Sequence, residues 1–556
     1  MIGLIAVTNA GRLAARRLRA AWPDQTRTYD GPAAQAIARA WPQCHSLVCF
    51  LATGATVRLI APLLAGKHDD PAVVCVDESS NYAIALLGGH TAGANALSAR
   101  VADVLGATPV VTTATDAAGI PGLDSLGWPV EGAVAAVSRA ILDGEPVRLE
   151  SAQTWPLPPL PPHVRAAGRY GILITDRVVP IDMHTAVLRP PSLVAGVGAS
   201  RGVTAAEVLG LVTEALAEAG LSPGSVGHLA TVEAKGREAG IVTAARQRGW
   251  PLITYPASRL ARVPVPCPSP VVAAAVGTPS VAEASALADG GTLVVPKRKS
   301  AMATVAVARV APRGRLSLIG LGPGARDLLV PRAAAELRRA GVVIGLDQYV
   351  DQIRDLLRPG TQILASGLGA EEERARVAVE QARRGHAVAL VGSGDAGVYA
   401  MASPALELAG DGIDVVGVPG VTAALAAASL LGAPLGHDHA VLSLSDLHTP
   451  WDVIERRIRA AADSDLVVAF YNPRSRARDW QLRSAMDILA RHRPAATPVG
   501  VVRAASRPGQ RVTLTTLGEF RPETADMVSV VIVGCSATRV VAGRMITPRG
   551  YRWLRT

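Results

Sequence analysis

Residues 387–399 read AVALVGSGDAGVY. Five apolar residues run straight into Gly392-Ser-Gly394-Asp395-Ala-Gly397. That is the pattern of a strand buried on both faces, ending in a turn where the backbone must stay bare. Working outward, a helical stretch (EEERARVAVEQARR, 371–384) precedes it and a second glycine-ended strand (IDVVGVPG, 413–420) follows. The same alternation recurs in LSLIGLG (316–322), GVVIGL (341–346), DLVVAFYNP (465–473), PVGVVRAAS (498–506) and MVSVVIVG (527–534). It also recurs in the first 312 residues: SLVCFLA (46–52), AVVCVD (72–77), TPVVTTA (108–114), SLVAGVG (192–198) and TLVVPK (292–297). Between the last two, TAAEVLGLVTEALAEAG (204–220) reads as a helix. The chain is therefore α/β and multidomain, with parallel or mixed sheets, and its ligands are expected beyond the carboxyl ends of strands.

At 556 residues and 49% hydrophobic the chain holds several cored domains and is not a disordered one. Its 56 basic residues against 46 acidic ones give +10, and all but Lys67, Lys235, Lys297 and Lys299 of the basic ones are Arg. Such a balance suits an acidic partner, and the arginine fork suits carboxylates or phosphates. The charge is spread along the chain without a basic stripe or interleaved aromatics, so nucleic acid is not the expected partner. Five cysteines without a C-x-x-C pair point to a reducing cytoplasm. No membrane partner is expected: Val415–Gly436 is uncharged and long enough to span, but four Gly and two Pro make it strand, turn and buried helix.

Two boundaries stand out. SAQTWPLPPLPPHV (151–164) carries five prolines between Pro156 and Pro162, an extended run that cannot enter a sheet centre. APRGR (311–315) separates two strand-like runs. The expected division is 1–150, a linker at 151–169, a domain at 170–312, and a further unit from 316.

In that last unit four strand ends carry bare or polar turns. Gly320-Leu-Gly322-Pro323-Gly324 lets backbone N–H groups approach an anion, yet it lacks G-K-[ST], and Pro323 breaks the dinucleotide fingerprint. Gly392–Tyr399 clears space for a ligand, with Asp395 as acceptor or helix cap. Pro419-Gly-Val-Thr422-Ala423 places Thr422 at a capping position. Tyr471-Asn472-Pro-Arg474-Ser-Arg476-Ala-Arg478 makes a local anion site or a solvated charge run. No nucleophile elbow, HExxH or metal cluster appears in this unit, so no metal is expected and the reactive group falls to a cofactor.

The order of these motifs, GLGPG…LLVPRA, VGSGDAGVYAMASPALEL, VPGVTAALAAASLLGAPLGHDHAVLSLSDLHTPW and YNPRSRARDWQ, strongly resembles the precorrin-3B C17-methyltransferases, over about Leu316–Val541. The resemblance implies a two-lobed tetrapyrrole methylase fold (316–425 and 426–556) with S-adenosyl-L-methionine in the cleft. It implies cofactor contacts at Gly394, Asp395, Ala396, Val398, Tyr399, Thr422 and Ala423, with Tyr471 and Asn472 nearby. The loop Gly322, Pro323, Gly324 would line the tetrapyrrole trough, and Arg474, Arg476 and Arg478 would meet substrate carboxylates. A homodimer through this half is also expected. Val330, Gly392 and His448 depart from the usual pattern without removing a cofactor turn. A sulfonium methyl is already activated, so transfer needs positioning, while ring contraction needs proton transfers, for which Ser445 and Asp446 are catalytic candidates.

Upstream, Thr53–Arg58, Val76-Asp77-Glu78, Gly88-Gly89-His90 and Asp116 all sit at expected strand ends. With ATGATVRLIAPLLAGK, GGHTAGANALSARVADVLGATPVVTTATD and the later VEAKGREAG and VGTPSVAEASALADGG, residues 1–310 resemble the cobalt-precorrin-5A hydrolases, which open a ring lactone and release acetaldehyde. On chemistry, His90 is the expected general base and Asp77 or Glu78 its orienting carboxylate. Glu233, Lys235 and Lys297 are further contacts for a carboxylate or lactone. The alternatives are a binding-only first half, a methylase acting on the cobalt-containing intermediate, a nucleic-acid methyltransferase and a tetrapyrrole carrier.

Overall fold

A computed structural model describes residues 1–66, 69–89, 92–113, 118–367, 369–475 and 478–550. Lys67, His90, Asp116 and Arg476 lie outside the described residues. The chain divides into two compact units. One comprises Met1–Gln153, Leu160–Pro312 and Arg358–Gly360; the other comprises Thr154–Pro159, Arg313–Leu357 and Thr361–Thr556.

The first unit opens with a six-stranded sheet. Its strands are β1 (Ile2–Ala6), β2 (Thr26–Thr28), β3 (Ser46–Phe50), β4 (Ala72–Val76), β5 (Tyr82–Leu87) and β6 (Thr108–Val110), in the order β2-β1-β3-β4-β5-β6. β1, β3 and β4 are buried at every residue because helices cover both faces. On one face Leu18, Leu97 and Val101 pack on Val48 and Val74; on the other Ile37 packs on Leu47, Cys49 and Val73. β5 runs antiparallel to β4, with Val76 opposite Ala83 and Val73 opposite Leu87.

A second sheet crosses the expected 150/170 boundary and corrects it. β7 (Val130–Gly132), β8 (Val147–Ser151), β9 (Val164–Arg165), β10 (Tyr170–Ile174) and β11 (Thr185–Leu188) lie in the order β7-β11-β10-β8-β9. The proline run stays out of the sheet, as its missing donors require. Its flanks nonetheless pair directly, Val147–Ser151 against Tyr170–Ile174. The prolines lie in a connection between two strands of one sheet, of which Thr154–Pro159 counts with the other unit.

The third sheet, order β14-β13-β12-β16-β15, comprises β12 (Leu193–Ala199), β13 (Val226–Val232), β14 (Leu252–Tyr255), β15 (Thr292–Lys299) and β16 (Ala303–Arg309). The expected helix is present as Ala205–Glu218, capped by Thr204 accepting from the Glu207 N–H at 3.2 Å. It buries Val208, Val212 and Leu216 on Val197, Leu229 and Val305.

In the second unit β17 (Arg315–Gly320), β18 (Val342–Leu346), β19 (Gln362–Ser366), β20 (Ala387–Gly392) and β21 (Asp414–Val418) form a wholly parallel sheet, order β19-β18-β20-β17-β21. Leu318, Ile344 and Leu390 meet in its core, each contributing about 1.5–3 kcal/mol by burial. Beneath β17, Glu336 accepts from Arg315 Nη2 (2.8 Å) and Ser317 Oγ (2.8 Å). Burial works to raise its pKa, but these donors prevail and hold it below the ordinary 4.5.

A two-residue strand β22 (Gly432–Ala433) precedes the second lobe's sheet. That sheet comprises β23 (His439–Ser443), β24 (Val467–Tyr471), β25 (Pro498–Arg503), β26 (Arg511–Thr516) and β27 (Ser529–Val533), in the order β23-β24-β27-β25-β26. β28 (Arg539–Val541) and β29 (Arg544–Ile546) complete a small ribbon with β22. Helix Ala423–Leu431 packs in this lobe, with Ala427 and Leu431 against Val467, Val502 and Ile532. The expected lobe boundary at 425/426 thus falls inside a helix, and the change of lobe comes at Gly420–Thr422. Residues 415–436 are strand, turn and buried helix as expected, and no described helix is long and apolar enough to cross a membrane.

Candidate functional site

β17, β20 and β21 are adjacent and parallel, so three of the four expected turns reach the same edge. There they touch backbone to backbone. A Cβ on Gly320 would lie 2.6 Å from the Gly394 carbonyl oxygen and 2.7 Å from the Gly420 nitrogen; one on Gly420 would lie 2.0 Å from that oxygen. Gly322 and Gly394 exchange N–H···O bonds of 3.0 and 2.8 Å, both with positive φ (74° and 67°), which glycine adopts without strain. Asp395 fixes the junction: Oδ1 accepts from the Gly397 N–H (2.8 Å) and Oδ2 from the Gly420 N–H (2.9 Å). It caps no helix; it is a staple between two turns. Ala396 is buried in the first lobe's core, and the Val398 N–H closes a turn onto the Asp395 carbonyl.

Tyr399 holds φ 52° with about half of its surface exposed. Its hydroxyl donates to the Val441 carbonyl on β23 (2.9 Å), and its ring lies 5.4 Å from that of Tyr471. Burial first, then the neighbouring Tyr471, pushes the phenol pKa up; a backbone hydrogen bond and Arg457 oppose this. Thr422 caps helix Ala423–Leu431 by accepting from the Leu425 N–H (3.3 Å), and the Tyr471 hydroxyl accepts from the Ala424 N–H (2.8 Å). Two of the expected cofactor residues therefore satisfy first-turn donors that would otherwise be orphaned.

On the second lobe's side, Asn472 (φ 49°) donates from Nδ2 to Ser443 Oγ at 3.0 Å. Ser445 donates its N–H to the same Ser443 oxygen (3.2 Å), and exposed Asp446 accepts from Gln481 Nε2 (2.8 Å). Arg478 is turned back into its own loop, with contacts to the Asn472 carbonyl (3.3 Å), Ser445 Oγ (3.5 Å) and Met527 Sδ (3.2 Å). Three projecting arginines are not what the structure shows: among the described ones Arg478 braces the loop. Arg474 lines a cavity of about 550 Å³ with Ser475, Arg503, Asp526, Met527 and Val528. Arg503 is committed to Asp526 at 2.8 Å. Burial works to raise the Asp526 pKa, but Ser529 and Arg503 outweigh it and hold the carboxyl low.

Sequence reading missed Arg507, Ser393, Ser443 and Gln481. Arg507 donates from Nε to the Pro323 carbonyl and from Nη2 to Ser393 Oγ (2.6 Å), joining the second lobe to two turns of the first. The signal was present: RPGQ (507–510) is turn chemistry following the PVGVVR strand.

In the first unit the described parts of the expected places fall at two opposite edges of the sheet. β5 is antiparallel to β4, so Gly88 and Gly89 lie at the amino end of β4, where a Cβ on Gly88 would meet the Ala72 backbone at 3.3 Å. Asp77 and Glu78 lie at the opposite edge, one five-residue strand or roughly 15 Å away. β6 is parallel to β5 and runs toward the glycine edge, while Thr53–Arg58 follows β3 at the carboxylate edge. The described part of the GGH loop, Gly88 and Gly89, therefore lies at the edge opposite Asp77 and Glu78, while His90 itself is outside the described residues. Asp77 closes the β4–β5 turn by accepting from the Tyr82 N–H (2.6 Å), and Glu78 accepts from Thr8 Oγ1 (3.1 Å).

In the third sheet Lys297 Nζ donates to the Cys267 carbonyl (2.9 Å), Lys235 lies 3.7 Å from Glu238, and Glu233 is exposed. Fully buried Glu283, another missed residue, accepts from the Cys267 N–H (3.1 Å) and the Lys297 N–H (3.3 Å).

Family comparison agrees with this division. Residues 315–521 match the tetrapyrrole (corrin/porphyrin) methylases, 35–116 the cobalamin synthesis G N-terminal family and 193–308 the cobalamin synthesis G C-terminus. The probable cobalt-factor III C(17)-methyltransferase of Salmonella typhimurium is 48% identical over 239 residues, 42% of this chain and 99% of that one. The precorrin-3B C(17)-methyltransferase of a Sinorhizobium species is 41% identical over 249 residues, covering 43% and 97% respectively. The crystal structure of the methyltransferase CobJ aligns with 38% identity over 43% of this chain and 100% of its own, with a TM-score of 0.40. By its identity to the two methyltransferases the chain belongs to the C17-methyltransferase family of tetrapyrrole methylases, preceded by segments that match the cobalamin synthesis G families.

Proposed function

We propose that this protein transfers a methyl group to C17 of precorrin-3B with ring contraction, and that its first unit opens the lactone of cobalt-precorrin-5A. The observation carrying the first activity is the convergence of Gly320, Gly394 and Gly420 beside the half-exposed Tyr399 ring. A side chain at Gly320 or Gly420 would collide with that junction, so the three strand ends close on one another through bare backbone, and the half-exposed aromatic wall of Tyr399 follows directly from the β20 end. These residues fit S-adenosyl-L-methionine, with Gly394, Ala396, Val398, Tyr399, Thr422 and Ala423 as its bed. Bound there, it supplies a methyl already activated on a sulfonium.

The protein's part is then positioning and proton management. Asp395 supports the bed from beneath by holding the Gly397 and Gly420 N–H groups. Tyr399 keeps its proton at neutral pH and ties the cofactor turn to β23. Gly322–Gly324 and Arg474 form walls for the tetrapyrrole, whose acetate and propionate arms suit the Arg474 guanidinium. Ser445 and Asp446 are held by Ser443 and Gln481 within reach of the same loop and serve proton transfer during contraction. Five free cysteines, four of them buried, suit the cytoplasm, and a dimer through the methylase half remains part of this proposal.

The test is incubation of the full chain with precorrin-3B and S-adenosyl-L-methionine. A product heavier by one methyl group is expected, and no methyl gain would sink the reading. The higher identity to the cobalt-factor III enzyme (48% against 41%) favours a second substrate, the cobalt-containing intermediate, so cobalt-factor III belongs in the same assay. Acetaldehyde released from cobalt-precorrin-5A tests the first unit, and its absence leaves that unit a binding module.

A further inference from the structure

Arg507 stands in the turn after β25, where Ala504 and Ser506 both take positive φ (48° and 61°) without being glycine. Such a turn persists only when its surroundings over-determine it. Here the Ala504 N–H donates to the Val528 carbonyl, the Arg507 N–H to the Ala504 carbonyl, and the Ser506 N–H to Gln510 Oε1. The outcome is one side chain sent across to the first lobe.

Its two donors end on different turns: Nε on the Pro323 carbonyl of the tetrapyrrole loop, and Nη2 on Ser393 Oγ of the cofactor loop. Gly324 leaves room for this. A Cβ there would sit 2.5 Å from Arg507 Cγ, so the arginine stem occupies the volume that a side chain would take. A planar fork with donors at fixed divergence bridges two acceptors; a lysine ammonium on a flexible stem does not impose that geometry.

We infer that Arg507 is a positioning residue that couples the two substrates. By fixing the tetrapyrrole loop to the cofactor loop, it makes occupation of either one favour the other. The inference rests on the proposed function, and the experiment separates the two. The full chain is titrated with S-adenosylhomocysteine by calorimetry, with and without precorrin-3B, as wild type, Arg507→Met, Arg507→Lys and Ser393→Ala.

Wild type is expected to bind S-adenosylhomocysteine about tenfold more tightly when precorrin-3B is present, within the usual range of coupling between sites. In Arg507→Met and Arg507→Lys that ratio falls to within about twofold of one, and Ser393→Ala gives an intermediate ratio. A merely structural role would weaken both titrations alike and leave the ratio unchanged. Should Arg507→Met fail to fold, Arg507→Lys and Ser393→Ala still decide. A wild-type ratio of one, or an unchanged ratio in the variants, overturns the inference. If wild type binds neither ligand, the proposed function fails instead.

Discussion

Gly420→Ala is the sharpest perturbation of the glycine junction. The added Cβ would lie 2.0 Å from the Gly394 carbonyl oxygen and 2.8 Å from the Gly320 carbonyl carbon, and real Cβ atoms do not come within 3.0 Å. The β20 and β21 turns must therefore part by about 1 Å. No flexible side chain can yield, because both obstacles are backbone, and the Gly394 oxygen is already held by the Gly322 N–H at 3.0 Å. Overpacking of this kind costs about 1–3 kcal/mol. In a unit of this size that lowers Tm by roughly 2–4 °C per kcal/mol. A displacement of about 1 Å at the proposed cofactor bed should also cost on the order of 100-fold in rate. Scanning calorimetry and mass-resolved methyl transfer measure the two effects. Gly417→Ala is the control, since that glycine on β21 has open space around its Cβ position and an ordinary φ. Wild-type activity and Tm in Gly420→Ala, or equal losses in Gly417→Ala, would refute the reasoning.

Asp395→Asn leaves one amide N–H facing a backbone N–H, an unmade, at most part-buried bond worth about 1 kcal/mol; calorimetry should show weaker S-adenosylhomocysteine binding than in Asp395→Glu. Glu336→Gln breaks a buried pair with Arg315 and should cost about 3 kcal/mol at pH 7. Because the folded pKa of Glu336 lies below the ordinary 4.5, its stabilisation is present above that value and fades as pH falls through the folded one. Urea titrations should accordingly show the variant's deficit shrinking below about pH 4; a deficit constant down to pH 3 would contradict the assignment. Tyr399→Phe keeps the ring and loses the hydroxyl's backbone bonds to β23, at Val441 and Ser443, costing about 0.5–1.5 kcal/mol each. Tyr399→Ala should in addition raise the cofactor Kd, and equal Kd values for the two variants would remove the ring from the site.

The strands were readable because their signal is local. AVALV, LSLIG and SLVCF are apolar throughout since sheets covered on both faces demand it. The glycine turns were readable for the same reason. Direction of pairing is another matter. Nothing in YAIALL declares that it runs back along AVVCV, yet that single antiparallel step moves GG(88–89) to the edge opposite Asp77. The proline run misled differently: it was correctly kept out of a sheet, but β8 and β10 pair around it, and pairing across a loop leaves no trace in composition. Polar clamps were least visible. Asp395, Glu283 and Arg507 each join segments at least 14 residues apart, and their partners are mostly backbone atoms, which every residue carries.

Strain explains where the remaining gaps fall. Among the described residues seven non-glycines take positive φ, and four of them, Tyr399, Asn472, Ala504 and Ser506, follow the carboxyl ends of β20, β24 and β25. Each costs about 1–3 kcal/mol. That cost is offset locally: Tyr399 by its bond to Val441, Asn472 by Ser443, and the 504–506 turn by Val528 and Gln510. A sequence rule that gives left-handed positions to glycine must miss these four residues, because they break it. What they gain is direction. A tyrosine ring faces its partner ring across the two lobes, an asparagine reaches Ser443, and an arginine crosses to two loops at once. Glycines in the same places would relieve the strain but would remove the side chains at the first two and loosen the turn that aims the third. The concentration of strain at one edge of the second unit is thus independent support for placing the reaction there.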